Sequence, residues 1–190
     1  GLTLQRLTPL LLAQPELLKK PHRELLQRLA PRGEILEARF NVRLPAGEDA
    51  SATGVVEGEF RELGVNPMDR IPGFQGLAGS FSLHEDGGEV ILASRGLRFE
   101  APRLFADALW MDDVEARLKV ERGADRIRVS ADDIRLHNAD VRAWGRAEVD
   151  LGPGPGMVLE MAFADGDGSR TAAYLPVGIM PQNTSRWLRE

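Results

Sequence analysis

Two hydrophobic periods divide the chain. Before Gly33 the apolar positions recur at helical spacing: Leu10, Leu11, Leu17 and Leu18, then Leu25, Leu26 and Leu29. Thr8-Pro9 reads as an N-cap followed by proline at the first helical position. Pro15 predicts a kink or break. Pro21 opens a second short helix, for which Gly33 is the expected C-cap. From Ile35 the period becomes two. Leu36, Ala38, Phe40, Val42 and Leu44 alternate with Glu37, Arg39, Asn41 and Arg43. That pattern predicts a strand with one apolar and one solvated face. It recurs at Val56–Arg61, Leu77–His84, Val114–Glu121, Ile127–Asp132 and, as the longest run, Ala139–Leu151. Met157, Leu159, Met161 and Phe163 form a last apolar row, and Glu89–Ala93 and Leu97–Glu100 are extended but less regular.

Turn signals separate the runs. Glu85-Asp86-Gly87-Gly88, Arg122-Gly123-Ala124-Asp125 and Gly152-Pro-Gly-Pro-Gly156 suit hairpin loops. Short connections make successive strands antiparallel, and no helix-length segment interrupts them. The prediction is a mainly β antiparallel meander of about eight or nine strands, with short helices at both ends. Three parts follow: a helical segment over 1–32, the meander over 33–170, and a helical linker over 171–190.

The apolar faces of these strands add up to one wide surface. At ~25 cal/mol per Å², leaving it wet would cost tens of kcal/mol. Two short helices cannot cover it. It has to be buried by curling, by a second sheet, by a partner or by an apolar ligand.

Charge and chemistry narrow the field. The 190 residues carry a net charge of −5 with both signs interspersed, which disfavours nucleic-acid binding. Cysteine is absent, which removes disulfides, thiolate metal sites and a cysteine nucleophile. No apolar run reaches the ~18 residues of a membrane span. The chain begins at Gly1 with no leader-like segment, so both ends read as boundaries within a longer protein. His22, His84 and His137 lie far apart, without metal-ligand spacing. Asp165-Gly166-Asp167-Gly168-Ser169 starts like a calcium loop but has Pro176 where a bidentate Glu is needed. Asp112-Asp113 and Asp132-Asp133 read as solvated strand ends, because adjacent strand residues diverge. Ser169 and Ser185 lack a nucleophile-elbow context. Trp110, Trp144 and Trp187 could stack on a sugar or base; Trp144 falls on the polar side of its strand, as a contact for a helix or a neighbouring repeat. No catalytic residue, metal site or cofactor is expected.

Two stretches carry a family resemblance: Ile71-Pro-Gly-Phe-Gln-Gly-Leu-Ala-Gly79, and Tyr174-Leu-Pro-Val-Gly-Ile-Met-Pro-Gln-Asn-Thr-Ser-Arg-Trp-Leu188. Both resemble the AsmA-like superfamily of bacterial envelope proteins, most closely its YhdP branch (the DUF3971 region). The similarity runs from Arg32-Gly33 to Leu188. It implies a curved sheet with an apolar concave face, within a long periplasmic protein anchored in the inner membrane by parts absent from this chain. It also implies carriage of phospholipid acyl chains between inner and outer membranes, and neighbouring segments of the same full-length chain as partners. A new helix is expected near Thr184. On this resemblance the groove candidates from the first strands are Leu36, Phe40, Val42, Phe60, Phe81 and Leu83. The later strands add Phe99, Leu118, Val120, Ile127, Val129 and Val141, then Val149, Leu159, Met161 and Phe163. The alternatives are a structural or interaction module of the envelope with a closed apolar core, and, third, an enzyme such as a carbohydrate hydrolase.

Overall fold

The computed structural model describes residues 1–13, 20–43, 53–68, 71–153, 156–166, 171–174 and 178. A two-residue strand, β1 (Leu2–Thr3), precedes α1 (Leu4–Leu12) and α2 (Lys20–Leu29). Eight strands follow: β2 (Arg32–Arg43), β3 (Thr53–Val65), β4 (Gly73–His84), β5 (Gly87–Glu100), β6 (Leu109–Arg122), β7 (Ile127–His137), β8 (Arg142–Asp150) and β9 (Gly156–Ala164). A 3-10 turn spans Thr171–Tyr174. The nine strands lie in chain order in one antiparallel, curved sheet that does not close on itself. Strands touch extensively only their sheet neighbours, and α1 packs against β1, β2 and α2. Among the described residues no second layer covers the sheet.

An antiparallel meander sends alternate connections to opposite ends of its strands. The connections 85–86, 123–126 and 151–155 lie at one end, here the hairpin edge. α2 and the connections 66–72, 101–108 and 138–141 lie at the other, the base. The Asn66 N–H donates to the Leu29 carbonyl at 2.8 Å, which ties α2 to the base.

The helix ends differ from expectation. α1 starts at Leu4, so Pro9 lies inside it. Thr8 is not a cap; its hydroxyl donates back to the Leu4 carbonyl at 2.9 Å, as a mid-helix threonine does. Pairing of β1 with Glu34 and Ile35 launches the helix early. α2 ends on Ala30, at φ 44°, whose N–H reaches the Leu26 carbonyl. Gly33 is not the C-cap: it sits in β2 at φ 120°, where a Cβ would collide with the Glu62–Leu63 backbone. Glu89–Ala93 and Leu97–Glu100 merge into the single strand β5. The longest predicted run is shortened. Val141 lies just before β8, where Asn138 Oδ1 accepts from the Asp140 and Val141 N–H groups, both at 2.9 Å. The helix expected near Thr184 lies outside the described residues.

Candidate functional site

The strand register assembles the apolar face into rows that cross the whole sheet. Nearest the hairpin edge, Phe40 pairs with Val56, Val56 with Leu83 and Leu83 with Gly88. The row continues through Val120, Val129, Val149 and Met157. One step toward the base, Ala38–Gly58–Phe81–Val90–Leu118 forms the next row, and Ala131–Ala147–Leu159 lies on the far strands. A third row runs from Ile35 through Phe60, Gly79, Leu92, Ala116, Ile134 and Gly145 to Met161. A fourth joins Ser94, Val114, Leu136, Ala143 and Phe163. Val42 opposite Gly54 and Ile127 opposite Arg122 extend the face to its outer rim.

These rows bring thirteen of the sixteen sequence-predicted candidates onto one continuous surface roughly 34 Å long, at about 4.8 Å per strand spacing. Three differ. Leu36 is the extra residue at an irregularity between Ile35 and Glu37, so Ile35 takes the place opposite Phe60. Val141, 6% exposed, is held in the 138–141 turn rather than in mid-strand. Phe99 pairs with Phe74 and Leu109 and belongs to the packed base. Val56, Val90, Leu92, Ile134 and Met157 lie on the surface although none stood among the candidates. Their signal, the same period-two alternation, is present in the sequence.

Register irregularities flank the third row: at Leu36 in β2, at Arg61–Glu62 in β3 and near Gly76 in β4, and between Ala131 and Ile134 in β7. Bulges bend strands and sharpen twist, so the sheet is creased along its stacking direction. Asp132-Asp133 is therefore a mid-strand bulge, not a strand end. Both carboxylates are exposed, and Asp133 is held by Arg135 at 2.7 Å. At the crease the floor is kept low by glycines. Phe81 lies over Gly58 and Phe60 over Gly79, each ring covering the glycine of the next strand. The two rings stack with centroids 6.4 Å apart. A Cβ on Gly79 would strike the Ile91 carbonyl oxygen.

Among the described residues the face is covered at the base and exposed toward the hairpin edge. Leu97, Leu109, Met111 and Val114 form a buried cluster, covered by Phe74, Phe105, Leu136 and Tyr174. Val114 is 4% exposed and Ala143 3%, whereas Phe40 is 72% and Val42 60% exposed. Ser94 is the buried polar exception at 2% exposure. Its hydroxyl accepts from the Ala78 N–H at 2.9 Å and donates to the Ala78 carbonyl at 3.2 Å, repairing the ladder where the β4–β5 register slips.

The opposite face is polar. Cross-strand ion pairs join Arg61 to Glu34, Arg117 to Glu89 and Arg146 to Glu160, each at 2.7 Å. The two-point hydrogen bond from Arg146 holds the Glu160 carboxyl below the usual glutamate range. Trp110 and Trp144 are exposed on this face, Trp110 with the Arg98 guanidinium 5.8 Å from its ring and Trp144 opposite Arg135. His84 and His137 stand exposed at strand ends. His22, Trp187, Ser169 and Ser185 bear on side chains outside the description. Among the described residues no group of His, Asp and Glu could hold a metal ion.

Compared with curated proteins and with solved structures, the chain finds no significant match. The model of one protein family, described as YhdP protein, matches residues 1–190. The match spans the whole chain, and the chain belongs to the YhdP protein family.

Proposed function

We propose that this chain is a segment of a periplasmic lipid-transfer protein, in which the apolar face of the sheet carries phospholipid acyl chains between two membranes. The observation that carries this is the set of apolar rows running from β2 to β9, exposed toward the hairpin edge among the described residues. Membership of a family consistent with lipid-transfer envelope proteins supports it. That family is not a known enzyme family. Aliphatic and aromatic walls hold chains by burial and discriminate little among them. A surface that must pass many chains needs that low selectivity. The crease along the stacking direction makes the path run across the strands, from one sheet edge to the other. The packed base cluster is the feature that favours the alternative, an interaction module with a closed core.

Mass spectrometry of lipids extracted from the purified protein decides between them. Phospholipid in stoichiometric amount is expected, and Val129→Asp is expected to remove at least about nine-tenths of it in a protein that still folds. A charge on the path must be desolvated before a chain can pass. Val129 suits this test better than Val141, which is 6% exposed, so an aspartate there would be a buried unpaired charge. Lipid-free wild type, or undiminished loading in folded Val129→Asp, overturns the proposal.

A further inference from the structure

Among the described residues with a cross-strand partner, the register leaves one charged residue on the apolar side of the sheet. Arg122 is the last residue of β6 and pairs with Ile127, two positions beyond the Val120–Val129 pair. Among the described residues, every other charged residue with a cross-strand partner lies on the polar face. Arg122 is exposed at the hairpin edge. Its backbone N–H is fixed on the Asp86 carbonyl at 2.8 Å, but its guanidinium has no hydrogen-bond or ion-pair partner among the described residues. Its neighbours behave differently: Lys119 is engaged by Glu121, and Arg126 and Arg128 by Asp150. A fixed backbone with an unengaged five-donor fork stands at the lip where the apolar rows meet water.

We infer that Arg122 is a headgroup contact of the proposed groove. It would bind the phosphate of a phospholipid whose chains lie along Val120 and Val129. This rests on the lipid-transfer reading and deepens it. The chains are held without selectivity below, while the anionic group is held at the rim in water. The chemistry recognised is a phosphate oxyanion next to apolar chains. Free phosphate offers the first without the second.

The test measures uptake of two pyrene-labelled lipids with identical chains, phosphatidic acid and diacylglycerol. Each is presented at equal mole fraction in phosphatidylcholine vesicles. Arg122→Gln is expected to lower phosphatidic acid uptake about threefold to tenfold, the range of an exposed to partly desolvated ion pair, and to leave diacylglycerol uptake unchanged. Arg122→Lys is expected to restore most of the difference, and excess inorganic phosphate to displace neither probe. Equal loss of both lipids, or no loss of either, in the variant overturns the Arg122 assignment alone. Displacement of phosphatidic acid by inorganic phosphate would make the site one for a free anion and also overturns it. Wild type that takes up neither lipid overturns the groove reading and this assignment with it.

Discussion

Ser94 shows how much one side chain does in this sheet. Its hydroxyl replaces both ladder hydrogen bonds of Ala78 where the β4–β5 register slips. Ser94→Ala leaves a buried donor and acceptor unpaired, so a loss of about 1–3 kcal/mol is expected in chemical denaturation. A change below about 0.5 kcal/mol would mean that water or a backbone shift takes over the hydroxyl's role. Serine in an apolar phase was visible in the sequence as a break after Val90 and Leu92. Its partner was not, because the Ala78 backbone is brought there only by the neighbouring strand. Arg122 read in the sequence as the first residue of a hairpin loop; its place as the last strand residue, two beyond Val120, comes from the register. What the alternation could not show is that its guanidinium stays unengaged while Arg126 and Arg128 are paired.

At the scale of elements, β9 is the exposed one. Among the described residues it pairs only with β8, and it carries Met157, Val158, Leu159 and Phe163 largely exposed. The Arg146–Glu160 pair clamps it across the polar face. Hydrogen bonding from Arg146 lowers the Glu160 pKa in the folded state. The contribution is therefore present above the ordinary glutamate pKa and is lost as pH falls through the depressed folded value. Amide exchange in β9, corrected for intrinsic rate, is expected to accelerate as pH drops below the usual glutamate range. Glu160→Gln should remove that acid-dependent part. Both groups are exposed, so the effect is modest. A variant with the same pH profile as wild type would show that the pair does not hold the strand. The strands themselves were legible from period two. The bulges were not read, although Ala131 to Ile134 and Ile35 to Ala38 each shift the apolar phase by one residue.

The whole molecule is uneven in its packing. The base cluster of Leu97, Leu109, Met111 and Val114 is closed by Phe105 and Tyr174, while the hairpin edge exposes Phe40 and Val42. Local opening follows buried contact, so the base halves of β5 and β6 should exchange amides most slowly and the hairpin halves of β2 and β9 fastest. Phe105→Ala should cost about 2–4 kcal/mol and accelerate exchange in the base halves. Uniform protection along β5 and β6 would contradict this division. One closed side and one open side make a trough with a floor and a lip.

The sequence by itself determined the antiparallel meander, its apolar and polar faces, and the family to which the chain belongs. Each of these is local: period two, turn residues and packing motifs are properties of neighbours in the chain. Only the tertiary structure decided which apolar residues share a row, where the sheet creases and which end is sealed. Those depend on register between strands, and a one-residue bulge moves everything beyond it to the other face. Leu36 and Asp132-Asp133 were misplaced for that reason, and Val141 because Asn138 holds it in the turn before β8. Phe60 and Phe81 lie flat over Gly79 and Gly58 because of pairing across β3 and β4, which no spacing along a single strand contains.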